Sequence, residues 1–130
     1  VTLGDVDGDG DLDIVTANYS SSSASVLLGN GDGSFAAPGD YALPRGATSV
    51  TLGDVDGDGD LDIVTANNSS SSSASVLLGN GDGSFAAQGD YALPQGAFSV
   101  TMGDLDGDGD LDIVTANTSS SASVLLNRLR

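Results

Sequence analysis

The chain repeats itself almost verbatim, and that repetition constrains its fold more than any other property. VTLGDVDGDGDLDIVTAN begins at Val1, returns at Val50, and returns again at Val100 as VTMGDLDGDGDLDIVTAN. SASVLLGNGDGSFAA starts at Ser23 and Ser73, and a shortened SASVLL starts at Ser121. GDYALP occurs at Gly39 and Gly89. The first two units differ at Tyr19/Asn68, Pro38/Gln88, Arg45/Gln95 and Thr48/Phe98, and by one extra Ser. So close a pair points to recent duplication or deliberate construction. A repeat of this length is one supersecondary unit that buries its apolar faces against its neighbours.

Within a unit the pattern is that of short strands. Val1–Gly4, Leu12–Ala17 and Ser25–Leu28 are β-branched or apolar runs bounded by Gly, Asn, Asp and Ser. A fourth strand lies between Phe35 and Leu43 and is broken near Pro38-Gly39. No segment offers ten residues of helical periodicity. Leu12, Ile14 and Val15, and then Val26, Leu27 and Leu28, put apolar side chains on both faces of their strands, so both faces need cover. Four short antiparallel strands per unit at this spacing predict an all-β fold of β-propeller blades. Two blades are complete, over 1–49 and 50–99, and a third is partial, over 100–130, in one continuous segment. The Ser-rich stretches Ser20–Ser23, Ser69–Ser73 and Ser119–Ser121 change length between copies and are expected to be solvated hairpin tips.

The chemistry is concentrated in one segment of each unit, D-x-D-G-D-G-x-x-D. It comprises Asp5, Asp7, Asp9, Asp11 and Asp13 in the first copy, and Asp54, Asp56, Asp58, Asp60 and Asp62 in the second. The third copy supplies Asp104, Asp106, Asp108, Asp110 and Asp112. The 19 acidic residues are all Asp, so these loops hold most of the negative charge of a chain whose net charge is −16. Five carboxylates within nine residues repel one another unless a cation sits among them. With no His and no Cys, nitrogen and sulfur ligands are absent, which excludes the usual sites for zinc and copper. Calcium, which takes roughly six to eight oxygens in a tolerant geometry, fits better than octahedral magnesium. Gly8 and Gly10 allow the sharp turn that brings loop positions 1, 3 and 5 together. Asp5, Asp7, Asp9 and Asp13 are expected to ligate through side chains, and Asp11 through its carbonyl with its carboxylate in solvent. The other loops repeat this arrangement, for three calcium ions per chain.

Other calcium motifs share the Asp-rich opening and then diverge. An EF-hand needs a bidentate Glu at loop position 12 and then a helix; here Thr16 stands there and β-type sequence comes next. Thrombospondin-like repeats contain Cys, and RTX repeats recur every nine residues or so. Gly29-Asn30-Gly31-Asp32-Gly33 occurs once per complete unit and predicts a hairpin turn, which places Asp32 and Asp82 in turn geometry, with a metal role as the lesser alternative.

SVTLGDVDGDGDLDIVTAN, then SVLLGNGDGSF, then DYALP followed by Gly-Ala, resembles the FG-GAP/VCBS repeats of integrin-α-like propellers and of many secreted bacterial proteins. The resemblance implies that the calcium loop joins the first and second strands of each blade. Phe35 is flanked by Ser34 and Ala36, and Gly46-Ala47 continues with Thr48. The bacterial variant therefore fits better than the integrin one, and integrin-type ligand recognition is not implied.

The same residues narrow the function. A net charge of −16 opposes binding to nucleic acid or an anionic membrane, and no stretch approaches the apolar length of a membrane helix. Without His, Cys, Lys or Glu there is no ordinary general base except Asp. A catalytic carboxylate pair could be drawn only from Asp32, Asp40, Asp82 and Asp90, so a non-enzymatic role is expected. The expected role is that of a calcium-stiffened scaffold for adhesion or interaction, outside the cell or on its surface, where calcium is abundant. The alternative is a calcium-dependent carbohydrate-binding propeller, with Tyr19 beside the Ser-rich tip as the aromatic most available to a sugar. The chain opens inside a repeat, which is expected of a mature fragment or of an excised or engineered segment. Fewer than three full blades predicts completion by a homo-oligomer, most simply a dimer, or excision from a longer propeller.

Overall fold

The structure, a computed structural model, describes residues 1–69, 71–94 and 96–128. Ser70 of the second Ser-rich stretch, Gln95 (the counterpart of Arg45), Leu129 and Arg130 lie outside the described residues. The described residues form strands and turns with no helix. Sheet 1 has the order β1 (Thr2–Gly4), β2 (Asp13–Asn18), β3 (Ser23–Leu27) and β4 (Gly39–Ala42). Sheet 2 repeats it with β5 (Ala47–Gly53), β6 (Asp62–Asn68), β7 (Ser72–Gly79) and β8 (Phe85–Leu93). Sheet 3 holds β9 (Ala97–Gly103), β10 (Asp112–Asn117) and β11 (Ser121–Leu125). All pairs are antiparallel meanders. The fold is thus all-β and built of propeller-like sheets. The strands that open sheets 2 and 3 reach back to Ala47 and Ala97, upstream of the sequence repeat.

The sheets stack face to face, and the period-two alternation of a strand decides what each face meets. In β6, Ile63 joins a core shared with Val15 and Val26 of sheet 1. The next residue, Val64, turns the other way into a core shared with Val100 and Ile113 of sheet 3. Sheet 2 is therefore buried on both sides, as the two-sided apolar pattern requires. Sheets 1 and 3 each bury one side. Leu12 departs from the expectation: β2 starts at Asp13, and Leu12 is exposed in the loop.

Each sheet also contains a polar ladder. In sheet 2, Thr65 Oγ1 donates to Asn67 Oδ1 at 2.9 Å. Asn67 Nδ2 donates to Ser73 Oγ at 3.1 Å and Ser75 Oγ at 2.7 Å, and Ser75 Oγ donates to Asp90 Oδ1 at 2.8 Å. Thr65, Asn67, Ser73 and Ser75 are all buried. Sheet 1 repeats the ladder through Thr16, Asn18, Ser23, Ser25 and Asp40, and sheet 3 through Thr115, Asn117, Ser121 and Ser123. Polar groups can be buried here because they satisfy one another. This corrects the expectation that the Ser-rich stretches are solvated throughout. Their last residues, Ser23, Ser73 and Ser121, are strand residues bonded to an Asn.

The predicted break at Pro38-Gly39 is present in sheet 1. Phe35 makes an isolated bridge to Gly29, and β4 begins only at Gly39. In sheet 2, with Gln88 at the corresponding place, β8 is continuous. Val76 pairs with Gly89 and Leu77 with Ala87, so Gln88 is the extra residue of a bulge. A bulge is one of the few places in a sheet that tolerates Pro.

Candidate metal centre

Each Asp-rich loop leaves the first strand of a sheet and returns as the second. Asp5 organises the first loop. Its Oδ1 accepts the N–H groups of Gly8 at 2.7 Å and Asp9 at 3.2 Å, and its Oδ2 accepts that of Gly10 at 2.9 Å. The backbone is folded tightly over one carboxylate, which requires φ of 78° at Gly8 and 91° at Gly10, values that a side chain would strain. Asp7 Oδ1 then accepts from Asp9 N–H at 3.2 Å, and Asp9 Oδ1 from Asp11 N–H at 2.9 Å. Asp54 and Asp104 organise their loops through the same bonds.

The last carboxylate of the motif has a second duty. Asp13 is fully buried; its Oδ2 accepts Val6 N–H at 2.7 Å and its Oδ1 accepts Gly29 N–H at 2.8 Å. One side chain thus ties the start of the loop to the turn that leaves β3. Asp62 does so for Val55 and Gly79, and Asp112 for Leu105 and Asn127.

The carboxylates converge. Asp5, Asp7 and Asp13 each offer an oxygen within 4.8 Å of the others. In the second loop the converging set is Asp54, Asp56 and Asp58, and in the third Asp104, Asp106 and Asp108. Loop positions 1 and 3 recur in all three sets. Asp9 does not join the first set, nor Asp62 and Asp112 the others; the four expected side-chain ligands of a loop do not all meet in any one copy.

Crowding shows in the acidities. The Asp56 carboxyl is pushed up to about 6, by partial burial first, then by the Asp58 side chain and the charge of Asp62. Asp7 is raised by partial burial and by the charges of Asp13 and Asp9, and Asp106 by partial burial and Asp108. Asp5 is held low by the N–H groups of Gly10, Gly8 and Asp9, which outweigh its desolvation. For Asp54 desolvation is the largest influence and acts upward, yet the N–H groups of Gly59, Gly57 and Asp58 together hold it low. The first two loops therefore each contain one carboxylate fixed as an anion beside another that resists ionisation. A cation among them would relieve that conflict. The donor set is oxygen only, which suits a hard divalent ion.

One expected orientation is corrected. The Asp11 carboxylate does not point to solvent but lies against Gly31 of the following turn. A Cβ built on Gly31 would stand 2.6 Å from both Asp11 carboxylate oxygens. Asp60 lies on Gly81 in the same way. Gly31 and Gly81 both have φ of 78°, so the turn can receive the carboxylate only with Gly there. Asp32 and Asp82 serve turn geometry: Asp32 Oδ1 accepts from Ser34 N–H at 2.9 Å and Ser34 Oγ at 2.5 Å, and Asp82 bonds Ser84 likewise. Asp40 and Asp90 are bonded to Ser25 and Ser75 of their own sheets, and Asp90 also to Arg45 at 2.7 Å. Tyr19 leans on the chain at Gly46, whose Cβ position is 3.0 Å from the ring.

The loops, the glycines and the face-packed sheets define a class: a propeller-like repeat module with an acidic loop at the same place in every sheet. The family model described as FG-GAP-like repeat matches residues 5–65 and 54–115. The chain belongs to that family, as the sequence resemblance implies. No curated protein matches the chain.

Proposed function

We propose that each of the three loops binds one calcium ion and that the chain is a non-enzymatic scaffold stiffened by those ions. The observation that carries this reading is the convergence of three carboxylates per loop within 4.8 Å, three times over. Asp5, Asp7, Asp9 and Asp13 would hold the ion in the first loop, with the Asp11 carbonyl. Asp54, Asp56, Asp58, Asp60 and Asp62 would serve the second, and Asp104, Asp106, Asp108, Asp110 and Asp112 the third. Bound calcium supplies charge neutralisation: three divalent ions, six positive charges, would bring −16 to −10. A setting outside the cell or on its surface accords with loops of this kind, because extracellular modules bind calcium at roughly 10⁻⁴–10⁻³ M. The scaffold role is supported by the family and by the engagement of Asp32, Asp40, Asp82 and Asp90 in turns and sheets, which leaves them poorly placed as a catalytic pair.

Titration calorimetry of chelator-stripped protein is expected to give three calcium sites, and Asp7→Ala two. Each site should stabilise the fold by about 2.7 kcal/mol when calcium is a hundredfold above Kd. A melting curve that calcium does not move, or three sites remaining in Asp7→Ala, overturns the reading.

A further inference from the structure

The middle sheet shows what each face of a repeat packs against. Toward sheet 1 it presents Ile63, Leu77 and Phe85. Toward sheet 3 it presents Val64, Ala74 and Val76. The outward face of sheet 1 carries Ile14, Leu27 and Phe35, the repeat counterparts of the first set. The outward face of sheet 3 carries Val114, Ala122 and Val124, the counterparts of the second. The two outward faces therefore carry the counterparts of the two different halves of an interface that the chain already builds twice. The exception is the fourth-strand contribution of Leu43 and Leu93, which three-stranded sheet 3 does not supply. We propose that sheet 3 of one chain packs on sheet 1 of a second copy, and that two copies close a six-sheet ring through two such contacts.

Equivalent residues differ in exposure as this requires. Phe85 is 8% exposed inside the chain and its counterpart Phe35 is 41% exposed. Val26 and Val76 are 3% and 5% exposed, whereas Val124 is 50%. Backbone shape agrees. A Cβ on Gly4 would stand 2.8 Å from Leu52 and 3.1 Å from Leu61, because those side chains of sheet 2 seat on that glycine of sheet 1. Gly53 receives Met102 and Leu111 of sheet 3 in the same way, at 2.7 and 2.9 Å. Gly103, the next in the series, has no described atom within 4 Å of its Cβ position. Leu3 and Leu12, which correspond to Leu52 and Leu61, are exposed at the other end of the molecule.

Burying the outward face of sheet 1 leaves Thr16, Asn18, Ser23 and Ser25 satisfied, because they already bond one another as their buried counterparts do in sheet 2. Asp40 at the end of the ladder sits at an exposed edge, as Asp90 does. Two copies of the three described sheets give six, within the roughly four to eight that propeller rings hold. A contact between unlike faces forms a ring when its rotation closes and a filament when it does not.

Light scattering on the intact chain at tens of micromolar, in about 150 mM salt to screen the like charges, is the test. The expected mass is that of two chains, each of 12.8 kDa. Leu3→Arg on one face and Val124→Arg on the other should each give a one-chain mass with an unchanged circular dichroism spectrum. Mixed in equal amounts, these variants should recover a two-chain species through the one intact contact. Gly103→Leu adds a side chain where no described atom stands within 4 Å, so it should keep the fold and lose the pairing. A one-chain wild-type mass, growth into larger species, pairing that survives either Arg variant, or a mixture that stays at one chain overturns the proposal. The calcium stoichiometry is a separate readout that none of these results moves.

Discussion

Asp62 and Asp58 stand four residues apart in one loop and do different work. Asp62 is fully buried and accepts two backbone N–H groups, those of Val55 and Gly79. Asp58 is exposed and accepts the Asp60 N–H within its own loop. Each bond to a charged acceptor contributes about 1.5–3 kcal/mol, and removing the acceptor leaves buried donors unmet. Burial and the charges of Asp58 and Asp54 oppose the ionised form of Asp62 and offset part of this, so Asp62→Ala is expected to destabilise the metal-free protein by about 1–3 kcal/mol. Asp58→Ala should leave metal-free stability nearly unchanged while weakening metal binding. Urea titrations without metal, set beside calorimetry, separate the two. Protonation belongs to this scale as well. The folded Asp56 carboxyl titrates at about 6 against an ordinary 3.8, so the native state takes up a proton before the unfolded state does. Asp7 and Asp106 are raised in the same sense. The Asp56 contribution to metal-free stability should then rise as pH falls through about 6 towards 3.8, and those of Asp7 and Asp106 should likewise rise on acidification. Asp5 and Asp54 are lowered, and theirs is lost as pH falls further. Melting temperatures of chelator-stripped protein should rise from about pH 7 to 5 and drop below about 4. The gap between calcium-loaded and calcium-free protein should narrow over the first interval, because protons compete for the same oxygens.

At the scale of the strand, the paired repeats are a natural mutagenesis experiment. Pro38 and Gln88 occupy equivalent places, and the bulge at Gln88 explains why both are accepted. Gln88→Pro is expected to cost no more than about 1 kcal/mol, the scale of one hydrogen bond. Ala36→Pro is different: its N–H donates to the Leu28 carbonyl at 2.8 Å, the bond that keeps Phe35 beside Gly29. That substitution should cost clearly more in a denaturant titration, although it lies only two residues from a native Pro. Element identity was readable because each strand is a short apolar run between Gly and Asp clusters. The boundaries were not. β3 begins at Ser23, ahead of the expected Ser25, because a Ser that bonds an Asn inside a sheet looks in sequence like a Ser in solvent.

For the molecule as a whole, the repeat carried most of the legible information. Strand order, the place of the loops and the need to cover both faces of a sheet all come from one unit read three times. What escaped the sequence are relations between units or between distant parts of one unit. The Asp11 carboxylate on Gly31 and the hold of Asp13 on Gly29 reach out of the motif to the turn on the far side of a hairpin. Spacing within the nine-residue motif carries no trace of either. Nor does it show that the Val6 carbonyl, lying between Asp5 and Asp7, accepts the Gly83 N–H of the next unit at 3.2 Å. That bond has a consequence for birth of the chain on the ribosome. Synthesis runs from the N-terminus, so the first loop is complete in sequence at Asp13 yet waits for Gly83 before its backbone is fully paired. At roughly 5–20 residues per second the wait is on the order of 4–14 s. For that interval the Val6 carbonyl lacks its partner from the second unit, so completion of this contact is timed by the translation of the neighbouring unit.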